Sequence, residues 1–425
     1  MQKEKLWKAS AATGVLAFLC IGNALASGCA PNSTNRPVCP AGAVAEDATF
    51  IDPTATLFNA GNIALGKHIY IAPFVEINPG RRVMGTAAGV TIGEKSDLQD
   101  NVVLNGSGIA LGDEVILAHG ARVNGPAKIG HAAVVGAHNA AFVGFNSLVD
   151  RGNIEPDAMV LHLARVAPGV TVHTGRVVLS GKNVTTQAQA DDPALGKVIP
   201  ITDALRVFMD GVLHVNETFA REYTNLYYNN PDNVKGINYD PGDGGALPSF
   251  NPTRDLPTLA GVGTRDPNHR NRIIGDVVMS DSKSDLNNTY LVGSRISLRA
   301  DEGEPFHVGK IAYMNDRATF HALEHTGIQL HDDITYGMRS IVHGGASAAT
   351  SNNPHSETTV GDHGKIGNYA VVFRSTLGDN VKIGCGSLVD GATLADNTVI
   401  PARTIVINAG HSNPQRYPVE WNPGC

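Results

Sequence analysis

The densest chemistry in the 425-residue sequence lies in Ile296–His325, ISLRADEGEPFHVGKIAYMNDRATFHALEH, which gathers Arg299, Asp301, Glu302, His321, Glu324 and His325. Charged residues make up only 17% of the chain, so this clustering stands out from its background. Two more histidines sit in glycine-bearing stretches, His119 in ILAHGARVNGP and His343 in ITYGMRSIVHGG. Three neutral imidazoles are the donor set of a catalytic zinc that keeps its fourth position open for water. His119, His321 and His343 are therefore the candidate ligands. Most other histidines have no comparable partner pattern and read as surface or turn positions.

Residues so far apart need a regular scaffold to meet. Leu111-Gly112 and Ile129-Gly130 place glycines one repeat apart, Ile274-Gly275 and Val292-Gly293 do the same, and shorter echoes run from Val360-Gly361 to Ile383-Gly384. A short apolar-glycine unit recurring in this way marks a β-solenoid, in which each coil buries an aliphatic ladder against the next. The two regions also match each other. VTIGEKSDLQDNVVLNG aligns with FHVGKIAYMNDRATFHA, and IALGDEVILAHGARVNG with IQLHDDITYGMRSIVHG. The chain reads as a tandem duplication: a first solenoid domain over 47–228 that includes a helix at about 202–228, a Pro/Gly-rich linker over 229–272, a second solenoid over 273–410, and a tail over 411–425. The helix is expected because Leu205, Phe208, Met209, Val212, Val215, Phe219 and Tyr223 recur at helical spacing.

Composition agrees. Forty-seven glycines suit tight turns, and a net charge of −7 with a pI near 6.1 argues against nucleic acid as a partner. Lys3, Lys5 and Lys8 before an apolar run, followed by Ala24-Leu25-Ala26, read as a secretory signal over 1–26, which points to a periplasmic or secreted protein. That run is too short for a membrane span. Beyond it remain Cys29, Cys39, Cys385 and Cys425, an even number that suggests disulfides in an oxidising compartment and allows three pairings.

RADEGEPFHVG, then FHALEH, then VHGG, together with VNETFAREY in the helix, resemble the gamma class of carbonic anhydrases. The resemblance implies a mainly β protein, here two tandem left-handed parallel β-helices of hexapeptide repeats with one α-helix between them. It also implies zinc, with iron or cobalt as alternatives, acting on CO2 and bicarbonate. The family binds its metal across a subunit interface, with two histidines from one protomer and one from its neighbour. The second half supplies His321 and His343 but has Met338 at the neighbour position. The first half has Asn105 and Asn124 at the paired positions but His119 at the neighbour position. A first-half face against a second-half face would complete one site, whereas like halves together would not. By the same resemblance Glu302 sits near the metal-bound water and Glu324 relays protons. Gln99, Asn216 and Asn315 line the pocket, and Arg299 with Asp301 forms an ion pair that orders the interface. The expected assembly is a homo-oligomer through β-helix faces, a trimer of chains being one arrangement. The competing readings are a non-catalytic assembly module, in which the histidines are relics, and a hexapeptide acyltransferase.

Overall fold

The computed structural model describes residues 49–52, 54–80, 89–131, 139–229, 270–275, 277–280, 286, 289–302, 306–323, 326–345, 357–407 and 415–425. The expected leader, Cys29, Cys39, nearly all of the linker, Glu324 and His325 lie outside the described residues. The described strands form six sheets, three in each half, and successive strands enter the three sheets in rotation. Neighbours within a sheet are therefore one coil apart: Val115–Leu117 pairs in parallel with Asp97–Leu98 before it and Ala141–Val143 after it. The fold is a pair of tandem left-handed parallel β-helices.

Side chains alternate across each short strand, so the inward positions of successive coils stack. In the first half Leu98, Leu117, Val143, Val160 and Val178 form one buried in-register ladder. Leu298, Phe320, Val342, Val372, Val389 and Val406 form its counterpart. Burying an aliphatic side chain fully contributes about 1.5–3 kcal/mol, so ladders of this kind are a principal source of stability in a fold with little helix. The glycine signature has a steric cause. A Cβ on Gly112 would lie 2.1 Å from the carbonyl oxygen of Gly130, and one on Gly93 would lie 2.4 Å from that of Gly112. Glycine recurs because adjacent coils touch there.

A third apolar cluster joins the halves. Ile116, Phe142, Met159 and Val177 point outward from one first-half sheet and pack with Ile341, Val371, Phe373, Leu388 and Ile405 of the second half. Buried ion pairing reinforces it, with Arg272 Nη2 donating to Asp52 Oδ2 at 2.9 Å. The long helix Asp203–Asn229 covers the same first-half sheet further up, where Val215, Phe219, Ala220 and Tyr223 join the first-half core. Two strands run against the parallel pattern, Val198–Pro200 on Arg176–Val178 and Gln415–Pro418 on Thr404–Ile407. The second of these belongs to the expected tail, which then crosses to the first half. Trp421 Nε1 donates to Leu163 O, Glu420 pairs with Lys182 at 3.2 Å, and Cys425 is bonded to Cys385. No described helix is long and apolar enough to cross a membrane.

Candidate metal centre

The three histidines meet at the seam between the halves. His321, in Thr319–Ala322, and His343, in Ile341–Gly344, are direct partners on adjacent strands, so their outward imidazoles lie one coil apart and meet edge to face. Arg299 is the partner of His321 on the preceding strand. His119 comes from the first half, at the corner after Val115–Leu117, where Gly120 takes φ +70° to turn the chain. His119 Nε2 lies 3.1 Å from His321 Nδ1, which lies 3.2 Å from His343 Nε2. All three ligand atoms fall within 4.8 Å of one another, and all three residues are buried.

The nitrogen of each ring that faces away from this point is turned to an acceptor. His343 Nδ1 donates to Gly344 O at 2.6 Å. His119 Nδ1 faces Asp100 Oδ2 at 3.1 Å. His321 Nε2 faces Asp301 Oδ1 at 3.5 Å and Glu302 Oε2 at 3.4 Å. Protons on the outer nitrogens leave three lone pairs converging, an arrangement that repels itself unless a cation sits among them. Nitrogens about 2.0–2.1 Å from one tetrahedral metal would stand roughly 3.3 Å apart, close to the 3.1 and 3.2 Å that separate His321 from His119 and His343. The residues fit a metal.

Electrostatics supports the neutral ligand form. Burial lowers His321 to about 4, helped by the Arg299 guanidinium. Burial, then the neighbouring His321 and His119, pushes His343 well below its usual value. Burial also lowers His119, against the opposing pull of Asp100. Ligand imidazoles must be deprotonated to bind a metal, and burial favours that form in all three.

Arg299, with no exposed surface, ties the centre to both halves. Its Nη1 donates to Asp100 Oδ2 of the first half at 2.7 Å and its Nε to Asp301 Oδ2 of the second at 3.0 Å. Ser297 Oγ also donates to Asp100, and Tyr223 of the long helix donates its hydroxyl to Asp301. Burial, the largest single influence, raises both carboxyls, but Arg299 together with the neighbouring His119 and His321, and Tyr223 at Asp301, outweighs it and holds Asp100 and Asp301 below the usual carboxylate range. The Arg299 guanidinium lies 5.3 Å from the Tyr70 ring and 5.4 Å from that of Phe219.

The remaining sequence candidates are placed differently. Gln99 is buried beside the centre, its Oε1 accepting from His119 N at 3.2 Å and its Nε2 donating to Asp97 at 2.9 Å. It braces the ligand turn. Asn216 is buried on the long helix and donates to Val212 O at 2.8 Å, so its amide N–H is taken up by its own helix. Asn315 is not brought to the histidines. It lines a cavity of about 580 Å³ on the second half's open sheet with Tyr313, Thr335, Lys365 and Lys382, because only one of the two equivalent inter-half faces is built in the chain. Ser297, Tyr223 and the ring of Phe145, 4.9 Å from that of His343, were not singled out from sequence. Tyr223 closes the VNETFAREY motif and could have been, whereas Ser297 and Phe145 carry no sequence signal.

No protein-family model matches the chain. The chain is 29% identical over 208 residues to a carbonic anhydrase of Methanosarcina thermophila, covering 43% of this chain and 76% of that protein. It is 32% identical over 180 residues to the carboxysome assembly protein CcmM of Synechococcus elongatus, covering 38% of this chain but only 30% of that protein. A solved hexapeptide transferase family protein from Anaplasma phagocytophilum is 21% identical, covering 42% of this chain and 93% of that one with a TM-score of 0.25, too little to carry an argument. The chain is a hexapeptide-repeat protein of the gamma-carbonic-anhydrase-like kind.

Proposed function

We propose that the chain is an exported gamma-type carbonic anhydrase that hydrates CO2 to bicarbonate at one metal site per chain, built between its own two halves. The observation that carries this reading is the convergence of His119, His321 and His343, each with its outer nitrogen facing an acceptor. Zinc is the default occupant, with iron or cobalt compatible with the same donors. Such a metal supplies activation of water at neutral pH.

The chain's own groups do the rest. The three neutral imidazoles would hold such a metal without cancelling its charge. Asp100 and Gly344 O fix two ring orientations, and Arg299 keeps Asp100 ionised. Glu302, which lies 3.4 Å from His321 Nε2, is the proposed acceptor of the proton released by water, and Glu324 is the proposed relay to solvent, both roles resting on the resemblance. Export rests on the leader-like first residues. A second reading, a non-catalytic assembly module, is favoured by the likeness to CcmM.

Metal content and CO2 hydration of wild type and of His119→Ala decide between them. The proposal expects about one metal per chain and measurable hydration, both lost in His119→Ala although His321 and His343 remain. A wild type that keeps no metal when purified without chelators, or metal indifferent to His119, refutes it and favours the module.

A further inference from the structure

Away from the metal centre, successive coils of the second half turn one corner on Arg295, Arg317, Arg339 and Tyr369, with φ of 61, 62, 55 and 56°. Arg317 N, Arg339 N and Tyr369 N each bond to the preceding coil at this corner, so the four residues stack. A first-half corner interlocks with them. Asn101 Nδ2 donates to Arg295 O at 3.3 Å and Asn146 Nδ2 donates to Arg339 O at 2.9 Å. Arg122, from Arg122–Asn124, joins the column with its guanidinium 5.4 Å from the Tyr369 ring and 5.6 Å from that of Trp421.

Four guanidiniums thus share one seam, and among the described residues only Glu76 is ion-paired with any of them. It takes Arg295 and Arg317. Arg339 is 8% exposed and donates only to a neutral acceptor, Asn101 O at 3.3 Å. Arg122 Nη2 likewise donates to a carbonyl, Pro423 O at 2.9 Å. Arg122 Nε and Arg317 Nη1 are buried without a hydrogen-bond partner, as is Ser340 Oγ beside Arg339. Burial, then repulsion from Arg317 and Arg122, pushes Arg339 down to about 10. Buried positive charge without a counter-charge is costly, and the guanidinium fork matches carboxylate-like oxygens.

We propose that this seam is a binding site for a small oxyanion of the carboxylate or bicarbonate class, held among Arg122, Arg317 and Arg339. The occupant is either a free anion or an acidic side chain of a second copy, the chemistry being the same. Because the site bridges the halves, its occupation favours the closed pair by linkage. It does not depend on the metal centre being catalytic.

The test is thermal unfolding of the full chain titrated with sodium acetate or bicarbonate, chloride holding the ionic strength constant, with particle mass followed by light scattering. A free-anion site gives a saturable rise in melting temperature at unchanged mass. A side chain from a second copy gives a dimer that acetate dissociates. In either case Arg339→Met weakens the response at least tenfold, as expected for loss of one charge-assisted partner. Arg122→Gln, at a less buried position, does the same if Arg339→Met fails to fold, and His119→Ala leaves the response intact. A wild type silent in both readouts, or a response unchanged in both arginine variants, overturns the proposal.

Discussion

Arg299→Met removes the group that ties the two halves to each other beneath the metal centre. Asp100 and Asp301, both fully buried, would lose their shared cation while the methionine fills most of the volume. Breaking a buried ion pair from one side costs about 3–5 kcal/mol, because the remaining charge stays buried and uncompensated. Urea unfolding at pH 7.5 should show a loss of that size. The loss should depend on pH with a definite sign. In the wild type both carboxyls are held below their unfolded value, so their contribution is present above about pH 4 and disappears on acidification. Without Arg299, burial raises them instead, so the variant is penalised as pH rises through the raised values. The gap between variant and wild type should therefore narrow from pH 7.5 towards pH 4. The double variant Arg299→Met/Asp100→Asn should lose less than the sum of its parts, by about 1.5 kcal/mol or more. A loss below about 1 kcal/mol, or one that does not change with pH, would refute the account of Arg299 as the inter-half tie.

Two further outcomes follow from other contacts. Burial pushes His162 down to about 4, and its Nδ1 accepts from Phe145 N at 3.0 Å, a bond that a proton on that nitrogen abolishes. A base with a lowered folded pKa must shed its proton to fold, so about 2–3 kcal/mol should be lost as pH falls from 6.5 to 4. His162→Leu should flatten that part of the stability–pH curve measured by urea unfolding. Cys425→Ser frees the tail that reaches Leu163 and Arg122, and opening a loop with a sequence separation of 40 should lower stability by about 2–4 kcal/mol. Calorimetry with and without reductant checks this, since reductant should add little to the variant.

Much of the architecture was legible in the chain because it is local. The apolar-glycine period is visible since the same close approach of coils, as at Gly112 and Gly130, recurs at every turn and admits no side chain. The helix was legible because its buried face recurs at helical spacing. His321 and His343 could be paired by resemblance, and the structure explains their spacing: they lie one coil apart on neighbouring strands. The complementary exchange of His119 and Met338 between the halves was also readable, as a pattern without a place.

Only the tertiary structure decided where that pattern closes. His119 and His321 are 202 residues apart, and no local period says which of three faces of one β-helix meets which face of the other. The choice rests on outward residues that periodicity treats alike. Ile116, Phe142 and Met159 make one sheet adhesive, whereas Thr335, Lys365 and Lys382 keep its counterpart in the second half polar. That asymmetry brings His119 to His321 and His343 within a single chain, and leaves Asn315 on an open face. Inward residues specify each solenoid one coil at a time, while the site depends on the sum of weak outward contacts across the seam, which exists only once both solenoids have formed.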